Sequence, residues 1–184
     1  MPGILSSVAP HGATTRERDH MTSFRRRSLR VTSLVICAVL GAATVSPSAL
    51  ADNKRLNDSV YANIYTAQQQ NGCPIEARRD QRLDVAAQRH ALDALNNPDV
   101  NGDIGSDGST PTDRAAAAGF TGKIAQTMAI NPALAISGIE ILGQWYGDPV
   151  AWATMHDCSY TQIGVWSENK LDRSVVVAVY GAPA

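Results

Sequence analysis

The chain has 184 residues, of which 44% are hydrophobic, and it contains no internal repeat or low-complexity linker. Its formal net charge of −1 becomes −5 for residues 52–184, because residues 1–51 carry six arginines and two acids. These properties favour one domain with a buried core and argue against nucleic-acid binding, which needs clustered lysine and arginine for phosphate contacts.

The first 51 residues have the three parts of a secretory signal peptide. Arg25–Arg30 contains a basic block, Val31–Val45 is almost wholly apolar or small, and Ala49–Ala51 is a small-x-small cleavage signal. The apolar segment is shorter than the roughly 20 residues of a membrane-spanning helix, and the cleavage signal disfavours an uncleaved anchor or a buried helix. We therefore predict one domain over residues 52–184, secreted or associated with the cell envelope, with no membrane span after cleavage.

Two cysteines, Cys73 and Cys158, remain beyond the predicted cleavage site, since Cys37 lies in the signal peptide. An even number of cysteines in an exported protein predicts a disulfide, which stabilises a domain by roughly 2–5 kcal/mol. Free thiols or a metal-binding pair are the weaker interpretation, because there is no Cys-x-x-Cys and only His90 and His156 remain as histidines.

Helical spacing dominates the first half of the predicted domain. A first helix is capped by Asn57 or Asp58, and a later short helix begins at Pro111 with Thr110 as its cap. A loop rich in aspartate, glycine and serine precedes the short helix. The three predicted helices cover residues 57–70, 80–96 and 111–118.

Strands appear in the second half. Residues 123–130 and 161–166 have strand character, and 175–180 is a continuous β-branched apolar segment, typical of a strand covered on both faces. Helices are predicted over 131–146 and 149–156. In the first of these, four side chains are expected to face inward, namely Ile136, Ile139, Leu142 and Trp145. Helices followed by a closing strand pair predict an α+β fold rather than a parallel doubly wound sheet.

Four short motifs then occur in order along residues 56–181. They are Gly-Ser-Asp-Gly-Ser-Thr-Pro at 105–111, Trp-Tyr-Gly-Asp-Pro at 145–149, Tyr-Thr-Gln-Ile-Gly-Val at 160–165 and Val-Tyr-Gly at 179–181. This ordered set resembles the CAP superfamily, which includes cysteine-rich secretory proteins, venom antigens, plant pathogenesis-related proteins and bacterial SCP-like proteins. The bacterial exported branch is the most similar. The resemblance implies a three-layer α-β-α sandwich with a central antiparallel sheet.

Members of this family often carry two histidines and two acids around a cleft, and some bind zinc there. Asp103 stands where the first histidine precedes the Ser-Asp-Gly loop, and Gln126 stands in the Gly-Glu-Asn-like segment in place of the first acid. Asp148 keeps the carboxylate that follows the Trp-Tyr pair. Ser159 replaces the histidine of the His-Tyr-Thr-Gln-like segment. Where the bacterial branch often has a histidine after the Asp-Pro turn, this chain has Val-Ala-Trp at 150–152.

The replacements change the chemistry expected of this cleft. Zinc takes three or four imidazole, thiolate or carboxylate ligands, and two carboxylates with an amide and a hydroxyl are a poor set, so no metal or other cofactor is expected. The two carboxylates could hold Ca²⁺ only with several more oxygens, or act as acid and base if they are buried together. A polar, water-filled cleft without a catalytic role is the favoured interpretation.

Other residues near the motifs have structural and functional interpretations. Trp152 is the best candidate for lining an apolar groove, and His156 could replace a missing histidine of the cleft. His90 is interpreted as a core histidine. Asp113 and Arg114 are interpreted as a structural ion pair or a helix cap.

The sequence therefore favours a binding protein over an enzyme. Its expected ligand is a lipid or other small apolar molecule, a cell-envelope component or a protein, bound in the central cleft. The alternative is a hydrolase that acts on envelope polymer or peptide through Asp103 and Asp148. A purely structural surface protein is the third interpretation.

Overall fold

A computed structural model describes the backbone of residues 47–184 and the side chains of residues 53–184. The signal peptide predicted for residues 1–51 lies outside the described residues, apart from the backbone of its last five. Among the described residues, no helix is both long enough and apolar enough to cross a membrane.

The described residues form five helices and four strands. In chain order they are α1 Pro47–Gln70, β1 Arg78–Arg79, α2 Gln81–Asn96, α3 Pro111–Ala117, β2 Gly122–Asn131, α4 Gly138–Gly147, α5 Pro149–His156, β3 Gln162–Lys170 and β4 Arg173–Pro183. The strands form one sheet in the order β1-β3-β4-β2. β4 is antiparallel to both β2 and β3, whereas the two-residue β1 is parallel to β3. The three long strands thus form the predicted antiparallel sheet, and the short β1 adds a parallel pair at its edge.

Two apolar cores lie on opposite faces of the sheet. The first core joins α1, α4 and α5 to one face, with Ile64, Trp145 and Met155 fully buried. The second core joins α2 and α3 to the other face, through Leu83 and Phe120. Alternate residues of β4 belong to alternate cores, as strand geometry requires. The α+β fold and its three α-β-α layers are confirmed.

Gly164 of β3 allows α2 to pack closely against the sheet. A Cβ atom at this position would collide with the backbone of Leu83 and Asp84 in α2. This close approach gives a physical reason for glycine in the Tyr-Thr-Gln-Ile-Gly-Val motif.

Side chains cap the starts of α2 and α3, and the predicted cap at Thr110 and the predicted disulfide are confirmed. Asp80, the first residue of the helix predicted over 80–96, instead caps α2 by accepting a hydrogen bond from the backbone N–H of Arg82. Thr110 and Asp113 form a capping box at the start of α3. Cys73 and Cys158 form the predicted disulfide, which links the α1–α2 loop to the α5–β3 loop.

Two helix starts were predicted wrongly. α1 begins at Pro47 instead of Asn57 or Asp58, and Asn57 is a buried residue in the helix interior. Proline is favoured at the first position of a helix, and Ala, Leu, Lys and Arg in residues 48–56 are good helix formers. The helix thus crosses the predicted cleavage site after Ala51.

The second wrong start concerns α4, which begins at Gly138 instead of residue 131. Asn131 ends β2, and its Nδ2 donates a hydrogen bond of 2.9 Å to the carbonyl oxygen of Ala135 in the following turn. Ser137 and Glu140 then form a capping box. The predicted inward position of Ile139 is also wrong, since 84% of this residue is exposed.

Candidate functional site

The structure divides the six candidate cleft residues among separate groups of contacts. Asp103 lines a surface depression of about 530 Å³ in the α2–α3 loop, formed by residues between 97 and 106. None of the other five candidates lines this depression. Of these five candidates, Gln126 contacts Asp103 directly, by donating a hydrogen bond of 3.1 Å from Nε2 to Oδ1.

Arg114 holds Asp103 and Gln126 together from the interior. It is only 2% exposed, and it donates to the Asp103 carbonyl oxygen at 2.7 Å and to Gln126 Oε1 at 2.9 Å. It also donates to the backbone carbonyl of Ser109 at 2.6 Å. Of the two interpretations of Asp113 and Arg114, the helix cap is confirmed, because Asp113 belongs to the capping box while Arg114 donates to neutral oxygens. This network fixes the α2–α3 loop on the sheet.

His90 lies beside this network and is fully buried. One ring nitrogen, Nε2, lies 2.8 Å from the carbonyl oxygen of Gly102, so Nε2 carries the proton and donates. Burial lowers the pKa of His90 below its ordinary value, and the positive charge of Arg114 lowers it further. The ring is therefore neutral at pH 7, as expected of a core histidine that stabilises a loop.

Ser159 belongs to a second polar group. Its hydroxyl accepts a hydrogen bond of 2.9 Å from Lys123 Nζ, which also donates to Asp157 and lies 4.4 Å from the centre of the Tyr160 ring. The hydrogen bond to Asp157 raises the pKa of Lys123 above its ordinary value. A protonated lysine cannot take a proton from Ser159, so this pair lacks the base that a serine nucleophile needs.

The sheet lies between these two polar groups. Side chains of a strand alternate between its faces, and in β2 Met128 packs against the core of α2 and α3 whereas Ala125 packs against the other core. Gln126 shares the face of Met128. Lys123 shares the face of Ala125. Asp103 and Ser159, which contact Gln126 and Lys123 respectively, therefore belong to different layers.

Asp148 is the N-cap of α5. Its Oδ1 accepts hydrogen bonds from the backbone N–H groups of Val150 at 2.8 Å and Ala151 at 3.4 Å. A carboxylate at a helix N-terminus satisfies otherwise unpaired donors. Asp148 and Asp103 share no hydrogen-bond partner among the described residues.

Trp152 and His156 form an aromatic cluster with Tyr146 on α4 and α5. The rings of Trp152 and His156 stack with centres 4.3 Å apart and planes inclined by 25°. Tyr146 meets His156 edge-on at 5.7 Å. Trp152 is 44% exposed and Tyr146 is 49% exposed, so the cluster faces solvent. The sequence interpretation did not include Tyr146, although the i, i+4 spacing of Trp152 and His156 on a helix places their side chains together.

The chemistry of the donors does not favour a metal at any of these groups. Within the described residues, no three His, Cys, Asp or Glu side chains are grouped so that they could hold an ion. The side chain of Asp103 is bonded to the amide of Gln126, which is a weak metal ligand. The side chain of Ser159 is bonded to the ammonium group of Lys123, which repels a metal cation.

Comparisons with known proteins find likeness in structure and not in sequence, since no protein-family model and no curated protein matches the chain. An extracellular SCP-domain protein of Bacillus anthracis is similar with a TM-score of 0.63 and 14% identity, over 74% of this chain and 44% of that chain. An outer surface protein of Borrelia burgdorferi is similar with a TM-score of 0.60 and 16% identity, over 71% of this chain and 95% of that chain. A cysteine-rich secretory protein of Staphylococcus aureus has a TM-score of 0.50 and 10% identity, over 71% of this chain and 39% of that chain.

These likenesses show that the chain has the CAP/SCP fold, in agreement with the resemblance of its motifs. Because the sequence identities are only 10–16%, these likenesses show the fold and not the function. The chain spans less than half the length of the Bacillus and Staphylococcus proteins. Their titles name an extracellular and a secretory protein, respectively.

Proposed function

We propose that residues 52–184 form an exported, non-enzymatic binding domain of the CAP/SCP fold. Its ligand is a component of the cell envelope, bound without a covalent step. The contact surface is the aromatic cluster of Tyr146, Trp152 and His156.

The observation that carries this proposal is the exposure of Trp152 on a helix next to the disulfide. One face of its indole ring is covered by the His156 ring, and the disulfide at Cys158 links the segment that follows α5 to the α1–α2 loop. Exposed aromatic side chains on regular elements are typical of binding surfaces, because they offer a large contact area with few bonds to immobilise. Aromatic stacking adds about 0.5–1.5 kcal/mol beyond the burial of area.

The position of the carboxylates supports binding over hydrolysis. A hydrolase that uses two carboxylates needs them on either side of one scissile bond, within about 10 Å of each other. Asp103 lies in the α2–α3 loop, held by Gln126, while Asp148 caps α5 in the opposite layer. The two carboxylates share no hydrogen-bond partner among the described residues.

Export is supported by three observations of different kinds. The signal-peptide pattern precedes the domain. The disulfide between Cys73 and Cys158 suits an oxidising compartment. Two structural neighbours are described as extracellular or secretory.

Sedimentation with isolated cell envelopes tests the proposal. The protein, purified after expression of the full chain, is mixed with washed envelopes, and the bound fraction is measured against protein concentration. Saturable binding is expected, and Trp152→Ala is expected to weaken it by about tenfold, which corresponds to about 1.4 kcal/mol.

Leu171→Ala is the matched control. Leu171 is an exposed apolar residue in the β3–β4 turn, away from α4 and α5 in sequence. Its replacement is expected to leave envelope binding unchanged. Equal binding by the wild type and the Trp152→Ala variant would contradict the proposed surface.

A further inference from the structure

We infer that His90 and Arg114 form an acid-sensitive latch, which holds the α2–α3 loop (residues 97–110) on the domain and releases it as the pH falls. The released form is a local opening, in which the loop leaves its place while the sheet and both apolar cores stay folded. This inference goes beyond the proposed function and does not depend on the aromatic cluster.

The loop is fastened by polar bonds more than by apolar burial. Among residues 97–110, all of which the structure describes, Val100 is the one side chain in the core of α2 and α3. The other large apolar residue of the loop, Ile104, is 54% exposed. A segment that buries little apolar surface can open at a smaller free-energy cost than the whole domain.

Three side chains from α2 and α3 supply most of these polar bonds. His90 donates from Nε2 to the carbonyl oxygen of Gly102 at 2.8 Å. Asp93 accepts from the N–H and the hydroxyl of Ser106 at 2.7 and 2.6 Å. Arg114 donates to two further loop carbonyl oxygens at 2.7 and 2.6 Å. Of the three, the histidine is the residue whose charge ordinarily changes between pH 5 and pH 8.

The closed loop has no place for a second proton on His90. Nε2 already carries the hydrogen that bonds Gly102, so an added proton goes to Nδ1. Nδ1 is buried and has no hydrogen-bond partner among the described residues. A proton there would create a buried donor without an acceptor, and its charge would repel the buried guanidinium of Arg114.

The nearby carboxylates do not remove this penalty. Asp93 of α2 and Asp103 of the loop attract a charged imidazole, but burial and the charge of Arg114 have the larger effect, and the pKa of His90 is lowered. Both carboxylates also accept hydrogen bonds from neutral groups, namely Asp93 from a hydroxyl and an amide and Asp103 from the amide of Gln126.

The other charged side chains around α2 are bonded elsewhere. On the face of the sheet that α2 covers, Glu168 of β3 accepts from an indole N–H, and Arg173 of β4 donates to a carbonyl oxygen at the start of the loop. Arg89, the neighbour of His90 in α2, pairs with Asp107 at the surface. None of these groups is a hydrogen-bond partner of His90.

The direction of the pH effect follows from the lowered pKa. In the open form the ring is in water and its pKa returns to the ordinary value of about 6.5, so the open form binds more protons than the closed form. The latch is therefore strongest above the ordinary pKa and weakens as the pH falls below it. Between pH 7.5 and pH 5.5, the equilibrium constant for opening should rise about tenfold.

Amide hydrogen exchange at these two pH values, corrected for the intrinsic exchange rate, tests the inference on protein purified from expression of the full chain. The N–H of Ser106 reports on the loop, because it bonds Asp93 of α2. The N–H of Val177, buried in the central strand β4, reports on global unfolding. Ser106 is expected to be less protected than Val177 and to exchange at a rate that dilute urea leaves unchanged, since a local opening exposes little surface. Its protection should fall about tenfold at pH 5.5.

Two histidine variants identify the group that titrates. His90→Gln is expected to lose most of the tenfold change at Ser106. The matched control is His156→Gln, because His156 is the other described histidine and lies on α5, and it should keep the change. The signals of unchanged residues show whether each variant is folded.

Three outcomes would overturn the inference. If Ser106 has the protection and the urea dependence of Val177, the loop opens only when the domain unfolds. If the protection of Ser106 is the same at both pH values, the latch does not respond to acid. If the tenfold change persists in folded His90→Gln, another group is responsible. The first two outcomes are read from the wild type, so they decide the inference whether or not the variant folds.

Discussion

The buried guanidinium of Arg114 donates a hydrogen bond of 2.9 Å to the side-chain oxygen of Gln126. Gln126 in turn donates to the carboxylate of Asp103. An amide can accept from one partner and donate to another, so it links a cation to an anion without a charge of its own. Asp103, Gln126 and Arg114 thus attach the α2–α3 loop to the sheet.

Arg114→Met is expected to destabilise the protein because it leaves buried oxygens of Asp103, Ser109 and Gln126 without a donor. The free energy of unfolding should fall by about 2–4 kcal/mol, measured by chemical denaturation. Arg89→Met is the matched control, because Arg89 is exposed and its ion pair with Asp107 is screened by solvent. Equal effects of the two substitutions would contradict the role given to Arg114.

Gly164→Ala is expected to disturb the packing of α2 on β3. Its new methyl group would collide with the backbone of Leu83, which cannot move without displacing the helix, so a loss of about 1–3 kcal/mol is expected. Gly143→Ala in α4 is the control, since a Cβ there meets nothing, and a gain of about 0.5–1 kcal/mol is expected from helix propensity. Thermal unfolding measures both, and a neutral Gly164→Ala would show that the close approach is not required.

The buried His90 is expected to make stability depend on pH below about 6.5. Its pKa is lowered by burial and by Arg114, so between the folded and unfolded values the unfolded chain binds more protons. Stability is therefore full above the unfolded pKa and is lost as pH falls. Denaturation at pH 7 and pH 5.5 should show a decrease for the wild type. The His90→Gln variant, whose amide can still donate to Gly102, should lose less stability between pH 7 and pH 5.5. If it loses as much stability as the wild type, His90 is not the cause of the pH dependence.

Asp148→Ala is expected to weaken the start of α5, the helix that carries Trp152. Loss of the cap should cost about 0.5–2 kcal/mol, and Asp148→Ser should restore most of it, because serine also accepts from backbone N–H groups. Amide hydrogen exchange in residues 150–152 measures the effect locally. A variant that loses hydrolysis of an envelope polymer while exchange stays unchanged would instead support the catalytic alternative.

The sequence predicted those elements whose signals are local. Thr110 is predicted as the cap of α3 because a side chain that caps a helix acts within three residues of its own position. The Ser-x-x-Glu pattern of Ser137 and Glu140 also indicates the start of α4, whereas the start predicted at residue 131 rests on the Asn-Pro pair. The mixed sheet was not predictable, because β1 has only two residues and forms only through its pairing with β3.

The candidate site was predicted only in part, for a similar reason. Motif order placed Asp103 and Gln126 in one cleft, and the two residues are in contact. Burial of Arg114 depends on how α3 packs on β2, which no local pattern shows, so the sequence indicates only an ion pair or a helix cap for Asp113 and Arg114. Tyr146 was missed because its contact with His156 depends on the angle between α4 and α5.

Envelope binding by two variants, measured side by side, tests the central claim most directly. Trp152→Ala removes the exposed ring, while Asp103→Asn removes the carboxylate charge and keeps an oxygen for Gln126 to bond. A binding surface on α4 and α5 predicts that Trp152→Ala weakens the affinity for envelopes about tenfold and that Asp103→Asn leaves it unchanged. The opposite pattern, with affinity lost in Asp103→Asn and kept in Trp152→Ala, would contradict it and place the function in the α2–α3 loop.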